Sequence, residues 1–325
     1  MTPRTLRIGT RASALALWQA NTVRAALAAH GVEGTLVEIT TTGDGIQDRP
    51  LAGIGDTALF TRQLDEALLD GRVDLAVHSL KDLPSRIPAG LSLVAVSERE
   101  DPRDALVARD GIHWATLPTG ATIATGSVRR RAQLAWRRPD LMVTGIRGNL
   151  DTRLAKLDAN PGWAATMLAC AGLVRLGWAS RISERLDPDV MLSAPGQGAL
   201  GMVCRADRDD VRTVIRRAMH DPATSVAVLA ERALLGALDG GCQVPIAALG
   251  RMDHGTLHFM ARVLSHDGRT CLEESHDQSI DLSDPERAEA LATALGQHAA
   301  ERLLARGAES VLATARAATE SGSTP

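Results

Sequence analysis

An alternation of short apolar strands with helices occurs twice in the first half of the chain, and this repeat limits the fold more than any other feature. Leu6–Gly9, Ala14–Ala29, Val37–Thr40, Ala58–Leu69 and Val73–Val77 read as β-α-β-α-β, with Ser13 placed to cap the first helix and Gly31 to end it. The order recurs in Ala121–Ala124, Val128–Arg138, Leu141–Thr144, a helix around Thr152–Leu157, and Ala165–Ala169. Even the first turn echoes, Ile8-Gly9-Thr10-Arg11-Ala12-Ser13 against Ile123-Ala124-Thr125-Gly126-Ser127. Strands alternating with helices build doubly wound sheets, so two similar α/β units facing one another are expected. Ligands of such sheets bind beyond the carboxyl ends of the strands, which selects the loops at 10–13, 44, 78–82, 125–130 and 147–153.

The third segment has a different rhythm. A helix, Pro222–Leu238, leads through Asp239-Gly240-Gly241-Cys242 to a strand meander, Val244–Leu249, Thr256–Leu264 and Thr270–Glu274, with turns at 252–255 and 266–268. A helix capped at Asp284-Pro285 runs to about Arg306, completing a small α+β domain, and the residues from Ala317 on are expected to be a disordered tail. A length of 325 residues, 45% of them hydrophobic, suits about two or three domains with ordinary cores.

Composition excludes several functions. Cys170, Cys204, Cys242 and Cys271 are far apart and share no ligand spacing with the nine histidines, so neither a disulfide framework nor a metal site is indicated. A net charge of -3 argues against general nucleic-acid binding, and the absence of Tyr with only two Phe leaves few stacking platforms. The N-terminus enters a strand without an apolar leader and no run approaches membrane-spanning length, so a cytoplasmic protein is expected. Anion affinity must come from local clusters. Of 36 basic residues only Lys81 and Lys156 are lysines; the rest are arginines, whose planar forks suit carboxylates.

Thr10-Arg11-Ala12-Ser13 and Thr125-Gly126-Ser127-Val128-Arg129-Arg130 each put hydroxyls, free amides and arginine at a helix N-terminus after a strand, a design for anions. Simple N-capping by Ser13 and Ser127 is the alternative, but it gives no reason for arginines where the helix dipole disfavours cations. Arg147, Arg153 and Arg175 fall on loops or helix starts of the second unit, either as solvated charge or on the same rim. Lys81-Asp82, after the strand Val73–Val77, pairs an ammonium with a carboxylate suited to proton transfer or to stabilising a cation; an Asx-type turn closed by Asp82 is the other reading. Cys242 behind two glycines is the thiol best placed to be exposed, as a functional group or as an ordinary free cysteine. Gly196-Gln197-Gly198-Ala199-Leu200-Gly201 and Gly53-Ile54-Gly55-Asp56-Thr57-Ala58 match nucleotide-loop patterns but lack the strand-to-helix context, which argues against a dinucleotide.

Arg7–Ser13, Leu15–Ala20, Val77–Pro84, Glu98–Ala105, Arg147-Gly148-Asn149, Gly196–Ala199 and Gly240–Pro245, in this order and spacing, resemble the porphobilinogen deaminases (hydroxymethylbilane synthases) of tetrapyrrole biosynthesis. The resemblance implies two domains like type II periplasmic binding proteins, 1–98 with 198–218 and 99–197, a third α+β domain at 219–316 with a three-stranded antiparallel sheet, and a tail at 317–325. It implies a dipyrromethane cofactor held through a thioether at Cys242, four successive additions of porphobilinogen with loss of ammonia, and hydrolytic release of hydroxymethylbilane by a cytoplasmic monomer. On the matching positions Asp82 would be catalytic. Lys81, Asp44, Ser127, Arg129 and Arg130, with Asp82, would bind the cofactor, and Arg11, Ser13, Gln19, Arg147, Arg153 and Arg175 substrate or the growing chain. Each pyrrole brings an acetate and a propionate, which arginine forks fit. The sequence departs from the pattern at Gly55-Asp56-Thr57-Ala58, where many members have Gly-Gly-Lys-Gly, at Gly126 for a common serine, at Trp163-Ala164 for Tyr-Asp, and at Val203 for a glutamate. A rival of another class is a solute-binding or effector-sensing protein on the same two-unit fold, which gives Cys242 no role.

Overall fold

The computed structural model describes residues 5–41, 61–240 and 244–320, without the side chains of 318–320. Strands β1 (Thr5–Thr10), β2 (Glu33–Glu38), β3 (Leu75–Ser79) and β4 (Leu91–Val96) form a first sheet with β10 (Leu200–Arg205), in the order β2-β1-β3-β10-β4. β1 runs parallel to β2 and β3, whereas β10 is antiparallel to β3 and β4. Helices α1 (Ala14–Ala29) and α6 (Asp209–Met219) cover one face, with Val23, Leu27, Val211 and Ile215 packed with Ile8 and Met202. Helix α2 (Arg62–Leu69) packs Leu64 and Leu68 into a second cluster with Ala76 and Val203.

The second sheet repeats the plan. β5 (Asp104–Ala108), β6 (Thr122–Ala124), β7 (Met142–Thr144), β8 (Ala165–Ala169) and β9 (Glu184–Arg185) lie in the order β7-β6-β8-β5-β9, with β6 parallel to β7 and β8, and β5 antiparallel to β8 and β9. β5 thus stands where β10 stands in the first sheet. Period-two alternation sends Ala105 and Val107 toward Leu154 and Leu157 of α4 (Leu150–Ala159) and Leu173 of α5 (Cys170–Arg175), and Leu106 toward Leu134 of α3 (Val128–Arg137). Two connectors join the sheets, residues 97–103 and 192–199, and they pair: Ser97 N–H donates to the Leu200 carbonyl (3.0 Å), Glu100 N–H to that of Gly198 (3.1 Å), and Arg99 Nε to that of Gln197 (2.8 Å).

The third unit packs α7 (Pro222–Ala237) and α8 (Pro285–Ala305) on the antiparallel sheet β11 (Ile246–Asp253), β12 (Thr256–Leu264) and β13 (Cys271–Ser279), around Phe259, Leu257, Leu234 and Ala299. A buried carboxylate is central to its hold on the connectors, beside a backbone bond from Ala248 N–H to the Ser193 carbonyl (3.1 Å). Glu231 of α7 accepts from Arg99 Nη1 (2.6 Å) and Nη2 (3.2 Å) and from the backbone N–H groups of Gly196 (2.6 Å) and Gly250 (2.7 Å). Four donors satisfy an acid that burial would otherwise penalise.

Some sequence expectations change here. β2 begins at Glu33, not Val37, because parallel register with Thr5–Thr10 recruits residues whose own polarity gives no strand signal. β13 runs on to Ser279 as an edge strand with alternate side chains in solvent. Residues 317–320, expected in the disordered tail, instead end a final helix, α9 (Ala308–Glu320), while 321–325 lie outside the described residues. Just after α7, Asp239 takes a left-handed conformation (φ 48°). A Cβ on Gly240 would sit 2.6 Å from Ile246 Cδ1 and 2.7 Å from Leu235 Cδ1, so glycine is needed there for packing.

Candidate active site

β3 ends at Ser79 and passes into a single tight turn, 80–82, that carries Lys81 and Asp82. The turn is pinned from both sides. Leu80 N–H donates to the Ala199 carbonyl (3.0 Å), and Arg232 of α7 donates through Nη2 to the carbonyls of Pro84 (2.7 Å) and Ser85 (3.0 Å). Lys81 and Asp82 therefore form part of the wall of a cavity of about 370 Å³ between the two α/β units. Among the described residues nothing donates a hydrogen bond to the Asp82 carboxylate.

The first unit contributes Arg11, Ser13 and Gln19 to the cavity. Ser13 caps α1 through Ala16 N–H (3.3 Å), so capping and cavity lining coincide in this residue. Gln19 is buried and donates to Ser79 Oγ (2.7 Å), which ties α1 to the end of β3. The second unit contributes Arg130, Arg147, Arg153 and Arg175. Arg153 donates Nε to the Gly148 carbonyl (2.8 Å) and Arg175 Nη2 to that of Gly198 (2.6 Å), which orients both forks without neutralising them. Burial, with Arg130 as a further cause, lowers the Arg153 pKa to about 10, and burial lowers those of Arg147 and Arg175. Lys81 is pushed down to about 8, first by burial and then by Arg130 and Arg129, against the pull of Asp82 and Asp104. Six cations, Arg11, Lys81, Arg130, Arg147, Arg153 and Arg175, face two acids, Asp82 and Asp151, among the described lining residues. A cleft with that imbalance fits a ligand bearing several carboxylates, which is the charge a dipyrromethane would bring.

Two expected residues stand outside the described cavity lining, and two more lie outside the described residues. Arg129 is absent from the described lining residues: its Nη1 donates to Asp104 Oδ2 (2.7 Å) and the Leu192 carbonyl (2.6 Å). Ser127 is also absent from that lining; it caps α3 by accepting from Arg130 N–H (3.5 Å). Cys242, like Asp44, lies outside the described residues; Gly240 and Val244 flank it. Gly126 does line the cavity, and a Cβ there would stand 2.6 Å from the Ile146 carbonyl oxygen, so this loop packs closer than a serine would permit.

Sequence reasoning assigned no role to three residues that the structure puts at or behind the cavity. Asp104 is fully buried and paired with both Arg129 and Arg130. Gln197 lines the cavity and accepts from Lys81 Nζ (3.2 Å). His78 is buried at the end of β3 with its Nε2 unpaired, and burial, with Arg11 as the second cause, pushes its pKa down to about 4. Asp104 had a signal, an acid in the stretch Glu98–Ala105; Gln197 was hidden in a glycine pattern read for nucleotides.

Comparison with known proteins meets this geometry. Residues 6–213 match the model of the family described as "Porphobilinogen deaminase, dipyromethane cofactor binding domain", and residues 225–305 that of "Porphobilinogen deaminase, C-terminal domain". The chain is 49% identical to the porphobilinogen deaminase of Syntrophotalea carbinolica over 315 residues, 96% of each chain. It is 47% identical to that of Methylobacillus flagellatus over 313 residues, 96% of this chain and 97% of that one. Among solved structures it is similar to a periplasmic binding protein of Salmonella typhimurium with high arginine specificity, at 20% identity and a TM-score of 0.38, covering 66% of this chain and 91% of that one. With family models matched over most of its length and relatives near half identity from end to end, the chain belongs to the porphobilinogen deaminase family.

Proposed function

We propose that this chain is a hydroxymethylbilane synthase that joins four porphobilinogen molecules head to tail in the cleft around Asp82, with Cys242 as the thioether anchor of a dipyrromethane. The observation that carries the reading is the excess of cations over acids among the described lining residues, around a carboxylate to which none of the described residues donates a hydrogen bond. When bound, a dipyrromethane would supply the nucleophilic terminal pyrrole α-carbon, whose α-proton is given up as the substrate's aminomethyl nitrogen departs as ammonia. The chain's own residues do the rest. Arg11, Arg147, Arg153 and Arg175 hold acetate and propionate groups by charge-assisted forks, while Ser13 and Gln19 add neutral contacts. Arg130 and Lys81 serve the carboxylates of the cofactor. Asp82 accepts pyrrole N–H groups and stabilises the positive charge that develops as the carbon–nitrogen bond breaks and ammonia leaves. Asp44, Ser127 and Arg129 complete the set proposed for the cofactor, Ser127 and Arg129 by supporting the start of α3 from outside the described cavity lining.

The sheet memberships support a division into 1–98 with 198–218, 99–197 and 219–316. No helix among the described residues is long and apolar enough to cross a membrane, and we take the working form to be a cytoplasmic monomer.

Intact mass spectrometry tests the anchor. Protein from a host that makes porphobilinogen should be heavier than its sequence by one dipyrromethane, and Cys242→Ala should lose the addition. A wild-type chain at its sequence mass would instead favour a solute-binding protein. For Asp82→Asn, ammonia release should fall by about 10²–10³-fold with an unchanged circular dichroism spectrum; wild-type turnover in that variant would remove Asp82 from the chemistry.

A further inference from the structure

Asp104 opens β5 at the end of the first connector and is absent from the described cavity lining. Its Oδ1 accepts from Arg130 Nη2 (2.7 Å), Arg130 Nε (3.2 Å) and Gln197 Nε2 (2.9 Å), and its Oδ2 from Arg129 Nη1 (2.7 Å). Burial would raise its pKa, but the two guanidiniums and their hydrogen bonds outweigh that and hold it well below the usual carboxylate range. Gln197 also donates through Nε2 to the Pro102 carbonyl (2.7 Å). With both its N–H directions taken, the amide has its oxygen toward Lys81 Nζ (3.2 Å). We infer that Asp104 is a positioning residue for the proposed reaction, its single carboxylate setting the Arg130 guanidinium directly and the Lys81 ammonium through the Gln197 amide.

The arrangement explains the paired arginines. Arg129 and Arg130 are neighbours on the first turn of α3 and point in different directions, so that of the two only Arg130 reaches the described cavity lining. Arg129 continues the network away from the cleft: it shares the Leu192 carbonyl with Gln133 Nε2 (3.0 Å), and Gln133 Oε1 accepts from the fully buried Arg262 of β12 (2.6 Å). The third unit is thereby linked to the same carboxylate that sets the two cations. Asp104 acts from behind those cations, so it fixes their positions without competing from the cleft side for ligand carboxylates.

This inference rests on the functional reading above, and its test separates the two. The chain contains two lysines, so biosynthetic labelling with [ε-¹³C]lysine gives signals from Lys81 and Lys156 alone. Lys81 is faced by Asp82, Asp104, Arg129 and Arg130. Replacing the Gln197 acceptor with an apolar side chain, Gln197→Leu, withdraws a hydrogen bond from the charged form. Asp104→Asn withdraws the negative charge behind it. Both variants should lower the Lys81 titration midpoint, by about 0.5–1 pH unit for Gln197→Leu, while Lys156 stays put. The alkaline limb of kcat/KM for porphobilinogen should move the same way, and kcat should fall about tenfold or more. An unmoved Lys81 midpoint in folded Gln197→Leu overturns the inference, as does wild-type kcat/KM in Asp104→Asn. If Asp104→Asn fails to fold, Gln197→Leu still decides, because it leaves the carboxylate–arginine pairs intact. The titration needs no turnover, so it decides this inference even if the wild-type chain proved inactive toward porphobilinogen, the result that would instead overturn the functional reading.

Discussion

His78 shows how one side chain near the cleft ties stability to pH. Its folded-state pKa lies near 4 against an ordinary 6.5, because burial and then Arg11 disfavour the imidazolium. As pH falls below 6.5 the unfolded chain takes up a proton that the folded chain resists. The contribution is whole above that pH and is lost on the way down to 4, at most about 3.5 kcal/mol at roughly 1.4 kcal/mol per pH unit. His78→Gln should flatten the fall of the urea midpoint between these limits, leaving the part due to His220, also pushed down to about 4; an unchanged slope would show that His78 titrates normally. At this scale the sequence was legible where residue type and strand end coincide. Arg11, Ser13, Lys81, Asp82, Arg147 and Arg153 all line the cavity as their places after strands suggested, and Arg175 joins them from the end of α5 rather than from a loop or helix start. Arg129 and Arg130 were not separable, because neighbours on a helix point about 100° apart and only the fold decides which direction is the cleft.

Among the elements, the α7–α8 contact leaves no room for a single added methyl group. A Cβ on Gly296 would fall on the Ala230 carbonyl oxygen and 2.9 Å from Ala233 Cβ. Alanine is favoured over glycine in a helix by about 1 kcal/mol. Here that gain meets backbone, and forcing the helices apart typically costs about 1–3 kcal/mol or more. Gly296→Ala should therefore lower the melting temperature; a rise would mean that the helices separate freely. Long periodic helices such as α1, α7 and α8 were legible to within a residue or so of their ends. β2, β13 and α9 were not read correctly, because each is completed by its neighbours: β2 by the parallel register of β1, β13 by β12, and α9 in part by Arg316, which donates to the carbonyls of Leu238 and Asp239 (both 3.0 Å) at the end of α7.

Across the whole molecule, the doubled sheet plan was readable from the repeat, whereas the return of β10 to the first sheet came only from the family resemblance that grouped 198–218 with 1–98, because the repeat does not say which strand neighbours β3. The cation-rich cleft between the sheets has a bulk consequence. The KM for porphobilinogen should rise with ionic strength as salt screens its carboxylates from the arginines, about several-fold between 10 and 300 mM salt. A KM indifferent to salt would mean that charge does not draw the substrate in. Glu231 hooks the third unit to both connectors through Arg99 and Gly196. Points on an axle travel least when the arms it carries turn. Should the two sheets swing against one another, the third unit would ride near the axle. A ligand tethered there would keep one end almost still while the walls around its free end change their spacing.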